Sequence, residues 1–191
     1  MPKIYLASKS PRRQELLKLM GLEYTLYIKD IDESYPESLR ANEVAEYIAK
    51  KKANAFAVSE EGVIVTADTV VVVDNEILGK PLDADDASAM LRKLSGRKHE
   101  VITGVCIVSK EHQVSFSEVT EVHFRTLQDT EIDYYIKNYK PFDKAGAYGI
   151  QEWIGVTAIT GIVGSYTNVV GLPTEKLYEG LKDFGFFKEG I

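Results

Sequence analysis

Ser8-Lys9-Ser10-Pro11-Arg12-Arg13 sets two hydroxyls and two guanidiniums where a short apolar strand, Ile4–Ala7, gives way to a helix. Ser10 suits the N-cap and Pro11 the first helical position. Backbone N–H groups at a helix start favour an anion, and arginines add forked donors for phosphate or carboxylate. Positive side chains there oppose the helix macrodipole. A bound anion would account for them; on the blander reading Ser10 only caps the helix and both arginines are solvated.

Asp68 and Thr69 interrupt two β-branched runs, Val63–Ala67 and Val70–Val73. A carboxylate between such apolar strands is expected at a sheet edge or cleft, where it can deprotonate water or hold a metal ion. The alternative is a turn aspartate bonding its own backbone. Lys50, Lys51 and Lys52 follow one another on a predicted helix, where each step rotates about 100°, so they cannot share one face. Spacing alone does not say which of them serves a site. Lys80 lies in Gly79-Lys80-Pro81, without the GxxxxGK[ST] spacing of a P-loop.

Asp30, Asp32, Glu33 and Glu37 form an acidic run, either a solvated loop or, beside a triphosphate, a source of one ligand for an ion shared with Asp68. Asp143–Gln151 holds two glycines that allow close backbone approach, and Gln151 offers both donor and acceptor to a base edge. The plainer reading is a tight turn feeding a strand. No GxGxxG or GxSxG occurs, which removes dinucleotide-binding and nucleophile-elbow chemistry. His99, His112 and His123 neighbour no nucleophile pattern and are read as structural.

Strand and helix signals alternate along the whole chain. After Ile4–Ala7, the first helix carries Leu16, Leu17 and Met20 and ends at Gly21. Tyr24–Ile28 reads as a strand, and Asn42 as the cap of a helix to about Val58. Asp74-Asn75 signals a turn before a short strand, Glu76–Leu78. Asp83 caps a helix through Leu94, stopped by Gly96. Two long strands, about Glu100–Ser109 and Val114–Phe124, are expected to be antiparallel. A helix near Asp129–Asn138, an irregular stretch to Gly149, two short strands and a helix over Thr174–Phe184 complete the pattern. This mixture predicts an α/β fold with α+β character and a mixed sheet, in a single domain over residues 1–191.

Composition bounds the function. The chain has 191 residues, 21.4 kDa and a net charge of −6. Scaling of surface with mass buries roughly 70% of the unfolded surface, enough for a core without disulfides or structural metal. The head is an exception to the acidity: residues 1–21 hold Lys3, Lys9, Arg12, Arg13 and Lys18 against Glu15 alone. Overall acidity argues against a nucleic-acid binder. Cys106, the one cysteine, allows no internal disulfide, and lies in an apolar stretch as a buried thiol. The longest aliphatic run, Val70–Val73, is far short of the ~20 residues of a membrane span, and the N-terminal apolar run is too short for a signal peptide. A soluble, cytoplasmic protein with no membrane or nucleic-acid partner is expected.

Five segments in order, LASKSPRRQELL, TADTVVVVDNEILGKP, MLRKLSGRKHEVITGV, DKAGAYGIQ and GSYTNVVGLP, resemble the Maf family of nucleoside triphosphate pyrophosphatases along nearly the whole chain. The resemblance implies an elongated fold related to the inosine triphosphate pyrophosphatases, with a central mixed sheet, flanking helices and an active cleft between two lobes, often as a homodimer. It implies cleavage between the α and β phosphates, dependent on a divalent cation such as Mg²⁺ or Mn²⁺. By the same resemblance Asp68 is the catalytic proton acceptor. Ser8, Ser10, Arg12, Arg13, Lys52 and Lys80 bind phosphate, and Glu33 is an acidic residue on the metal side with Asp68. The resemblance thus picks Lys52 from the three lysines.

The branch acting on dTTP and UTP is similar at three specificity positions, Arg12, Thr69 and Gln151. A sister branch acting on 7-methyl-GTP tends to carry Trp, Gln and Glu there. One departure is Glu152-Trp153-Ile154-Gly155, where a small, Gly-rich stretch is common; Trp153 is expected to pack rather than set base preference. Two rivals stand beside dTTP and UTP hydrolysis: a house-cleaning activity on modified nucleotides, and a non-catalytic regulator of septum formation in cell division.

Overall fold

The computed structural model describes residues 2–58 and 62–187. In chain order the elements are β1 (Lys3–Leu6), α1 (Pro11–Leu19), β2 (Tyr24–Leu26), α2 (Ala41–Asn54), β3 (Gly62–Val73), β4 (Glu76–Leu78), α3 (Ala84–Leu94), β5 (Lys98–Val108), β6 (Gln113–Phe124), α4 (Asp129–Tyr139), α5 (Trp153–Ala158), β7 (Ile159–Val163), α6 (Tyr166–Val170) and α7 (Thr174–Lys182). The mixed α/β class expected from the sequence is what forms. Described residues gather into two compact units, one from 1–68, 103–118 and 171–191, the other from 69–102 and 119–170. The long strands β3, β5 and β6 contribute to both. No helix among the described residues is long and apolar enough to cross a membrane.

In the first unit β1 lies between β2 and β3, parallel to both, with Ile4 opposite Tyr24 and Val63. Parallel pairing requires crossover connections, which α1 and α2 supply. The α2 face Val44, Ala45, Ile48, Ala49 and Ala53 is buried. Gly104 of β5 makes that contact possible: a Cβ there would stand 2.2 Å from the backbone N of Glu46. The Thr66 hydroxyl donates to the Ala49 carbonyl at 2.7 Å. Thus β3 is tied to α2 two residues before Asp68 and three before Lys52. Cys106 packs with Ala49 and Ala53, and burial pushes its thiol up to about 11, the inert thiol expected.

Three local expectations need correction. The N-cap of α2 is Arg40 rather than Asn42, because the Glu43 carboxylate reaches back to accept the Arg40 N–H at 3.1 Å while pairing with its guanidinium, and α2 stops at Asn54. Asp68 does not break β3, which is one strand of 12 residues flanked by β1 and β5. An ion pair with Lys52 accommodates the half-buried carboxylate there. After Gly149 the chain forms α5, a single short strand β7, and α6, instead of two strands. The β-branched stretch turns helical where Gly155 lies so close to Ile150 that a Cβ would meet its carbonyl oxygen at 1.7 Å, and the Thr157 hydroxyl donates to the Trp153 carbonyl at 2.9 Å within that helix.

In the second unit β4 returns antiparallel to the end of β3 through Asp74 and Asn75, both at positive φ, the geometry a two-residue hairpin needs. The Asp83 carboxylate caps α3 as expected, accepting the Asp86 N–H at 2.9 Å. Leu91, Leu94, Val101, Val122, Phe124, Ile132 and Tyr135 form the core. Trp153 packs against it and meets Tyr134 edge-on at 5.0 Å, the packing role expected.

His99 is 3% exposed, 2.7 Å from the Tyr148 hydroxyl through Nε2, with its Nδ1 buried and unpartnered. Burial, helped by nearby His123, pulls its pKa down to about 4. The unfolded chain takes up that proton near pH 6.5, so between pH 6.5 and 4 the unfolded state binds more protons and stability falls with pH. The gap is worth about 3 kcal/mol. Urea midpoints of the native chain are expected to drop across this window and those of His99→Phe to drop less; parallel slopes would show that His99 is not the group responsible.

Candidate active site

The strand-to-helix junction forms as its residue types require. Ala7 donates its N–H to the Val65 carbonyl at 2.9 Å, and β1 then ends. The Ser10 side chain accepts from the Arg13 N–H at 3.5 Å, and Pro11 opens α1, whose first turn contains no acidic residue. The buried Ser8 hydroxyl oxygen accepts from the Ser10 N–H and from Arg13 Nη1, both at 3.2 Å.

Arg13 does more than present charge. Its Nε donates to the Gly171 carbonyl at 2.7 Å and its Nη1 to the Ala67 carbonyl at 2.9 Å. Past Val65, β3 outruns β1, and the Ala67 carbonyl takes a guanidinium N–H in place of a strand partner. Burial lowers the Arg13 pKa and neighbouring Arg12 adds to that, while Asp68 and Glu33 oppose it. Arg13 therefore joins the β1 end, β3 beside Asp68, and the chain before α7.

Asp68 meets Lys52 in the same unit: Lys52 Nζ stands 2.7 Å from Asp68 Oδ1 and 2.7 Å from Glu33 Oε1. The lysine side chain is 12% exposed and the aspartate 14%, so this pair is far drier than a surface bridge. The three consecutive lysines divide as helical rotation demands. Lys50 pairs with Glu46 at 2.7 Å, one turn back on α2. Lys51 binds Asp32 Oδ2 at 2.9 Å, the Ser34 carbonyl at 2.8 Å and the Ser34 hydroxyl at 3.1 Å. Lys52 alone reaches Asp68.

Lys51 thereby grips the residues on either side of Glu33. Ser34 reinforces the grip by donating its N–H and its hydroxyl to the Asp32 carboxylate, which these bonds and Lys51 hold far below the usual carboxylate range. Lys9 anchors Asp30 at 2.7 Å. Within the acidic run, then, Asp30 and Asp32 are consumed by bracing and Glu33 is the member turned to Lys52. Composition read the run as a solvated loop or a source of one metal ligand; it is a braced loop delivering one carboxylate.

In the first unit Arg13 contacts Ser8 and Ser10, Lys52 contacts Glu33 and Asp68, and the Ala67 carbonyl beside Asp68 links the two sets, with the half-buried Arg12 beside Arg13. Thr69, Lys80 and Gln151 belong to the second unit. Thr69 follows Asp68 on β3 and is half-buried; Lys80 is exposed in the loop after β4; Gln151 is exposed on a turn before α5. The carbonyls of Ala67 and Gly171 and the Lys51 brace were missed by sequence reasoning. Backbone acceptors leave no residue-type signal, although Gly171 lies within the GSYTNVVGLP segment.

Chemically, a dry carboxylate beside an ammonium, next to a helix start carrying two arginines, suits water activation against a polyanion. Among the described residues no group of three or more His, Cys, Asp or Glu could cage a metal ion by itself. Glu33 and Asp68 converge on one cation position, that of the Lys52 ammonium. Their oxygens are donors of the kind a hard divalent ion takes, although the position between them is held by the Lys52 ammonium.

Comparison with known proteins finds relatives over nearly the whole chain. A dTTP/UTP pyrophosphatase of Flavobacterium psychrophilum is 54% identical over 178 residues, 92% of this chain and 91% of its own length. That of Phocaeicola vulgatus is 54% identical over 183 residues, covering 94% and 95%, and that of Porphyromonas gingivalis 50% over 188, covering 96% and 94%. The model of the Maf-like proteins matches residues 3–184, nearly the full length, and on that match the chain belongs to the Maf family.

Proposed function

We propose that this chain hydrolyses dTTP and UTP to the nucleoside monophosphate and pyrophosphate. The observation that carries the reading is the Lys52 ammonium shared at 2.7 Å by Asp68 and Glu33, in the unit where the first turn of α1 carries Arg12 and Arg13. The substrate choice is supported by the names of the relatives at about half identity. Asp68 takes a proton from water as the water attacks the α-phosphorus in line, and the bond to the bridging oxygen breaks toward pyrophosphate. Lys52 orients Asp68 through their ion pair at 2.7 Å and lends positive charge to the phosphates. In the first unit Ser8, Ser10, Arg12 and Arg13 are assigned to the triphosphate, and in the second Lys80 to phosphate and Thr69 and Gln151 to the base, each role resting on the family resemblance.

A unit charge pair at about 4 Å is worth about 1 kcal/mol in water and about 4 at an effective dielectric of 20. A few such contacts to a polyphosphate therefore outweigh repulsion from a net charge of −6 spread over the surface. Glu33 and Asp68 would hold a divalent cation, Mg²⁺ or Mn²⁺, which when bound neutralises phosphate charge and polarises the scissile linkage.

The test is pyrophosphate release from matched normal and modified triphosphates with either metal. The expected order is dTTP and UTP well above ATP and GTP. A preference for modified nucleotides would replace the substrate assignment with a house-cleaning one. No release from any triphosphate would overturn the enzymatic reading and return the septum-regulator alternative.

A further inference from the structure

We propose that Tyr135, Lys144 and Glu152 are positioning residues for Gln151, fixing which bases the enzyme accepts. The inference rests on the reading that Gln151 contacts the base. Gln151 is the third residue of a four-residue turn closed by the Glu152 N–H on the Gly149 carbonyl at 3.1 Å. An exposed turn tip is ordinarily the most mobile part of a site, yet an amide tells donor from acceptor only if its direction is fixed.

Both ends of this turn are held by one buried hydroxyl. Tyr135 of α4 is completely buried; its oxygen accepts the Gly149 N–H at 3.0 Å, and its O–H donates to the Glu152 carboxylate. The other Glu152 oxygen pairs with Lys144 Nζ at 3.0 Å, and that lysine side chain, 9% exposed, also binds Asp143 at 2.8 Å. The first and last residues of the turn are therefore bridged through Tyr135, and Lys144 locks the bridge from the other side. Such a buried ionic network is a weak source of stability compared with apolar packing, and its best use is to impose one conformation.

The experiment compares kcat and KM for dTTP and GTP in Tyr135→Phe, Glu152→Ala and Gln151→Ala, with thermal unfolding as the check on folding. Tyr135→Phe keeps the ring and removes both bonds; Glu152→Ala removes the carboxylate at the surface end, so the pair does not hinge on one variant folding. Each is expected to narrow the dTTP/GTP ratio of kcat/KM at least fivefold, mainly through a higher KM for dTTP, with kcat within about threefold. A purely structural role would lower both substrates alike and leave the ratio unmoved. A ratio within twofold of the native value in either folded variant, while Gln151→Ala shifts it, would overturn the positioning role and keep Gln151 as the reader. An unchanged ratio in Gln151→Ala would instead overturn the reading on which the inference rests.

Discussion

Asp68→Asn is expected to fold normally and to lose at least about 10²-fold in kcat for pyrophosphate release, the lower range of a general base. Asparagine preserves the shape, and its amide oxygen still accepts from Lys52, which also retains Glu33. What disappears is the ability to take a proton as water attacks. The loss belongs in kcat, because Asp68 is an anion and contributes nothing attractive to binding a triphosphate except through a metal ion. KM for dTTP is accordingly expected to stay within a few-fold when the divalent cation is saturating. Steady-state kinetics on protein whose unfolding midpoint matches the native chain makes the comparison. Near-normal release by that variant would remove Asp68 from the chemical step.

Arg13→Lys, conservative in charge, is expected to cost both stability and activity. The guanidinium serves acceptors in three directions, Gly171 O, Ala67 O and Ser8 Oγ. An ammonium on a shorter reach cannot serve all three, and each abandoned buried acceptor costs about 1–3 kcal/mol. A loss of about 2–4 kcal/mol in urea unfolding is expected, with activity down about tenfold or more because the Ala67 carbonyl, next to Asp68, loses its anchor. Urea unfolding within about 0.5 kcal/mol of the native chain, together with full activity, would show that the fork is dispensable.

Local features were legible in the residues themselves. Ser10 with Pro11, Asp83, Gly21, Gly96 and the Asp74-Asn75 turn act through one or two neighbours in the chain, and each sits where its type demands. Local reasoning failed where a distant partner overrode it. Asp68 looked like a strand breaker because isolated carboxylates are costly between apolar runs, and α2 with Lys52 removes that cost. The β-branched stretch after Gly149 looked extended, and the close approach that Gly155 permits to Ile150 is a fact of packing. Asn42 yielded its capping place to Arg40 because Glu43 reached back one turn.

By itself the sequence determined the class of fold, the helix that opens on Ser10, and the five ordered segments that mark the family. It also supplied the opposing charges, a basic head on an acidic chain. Tertiary structure alone decided their employment: Lys50 to its own helix, Lys51 to the loop around Glu33, Lys52 to Asp68. It alone decided that Arg13 spends its fork on carbonyls 54 and 158 residues away. The reason is physical. Caps and turns are short-range contacts encoded by neighbouring residue types, whereas burying a charge requires a particular partner, and only the folded chain brings that partner within hydrogen-bond reach.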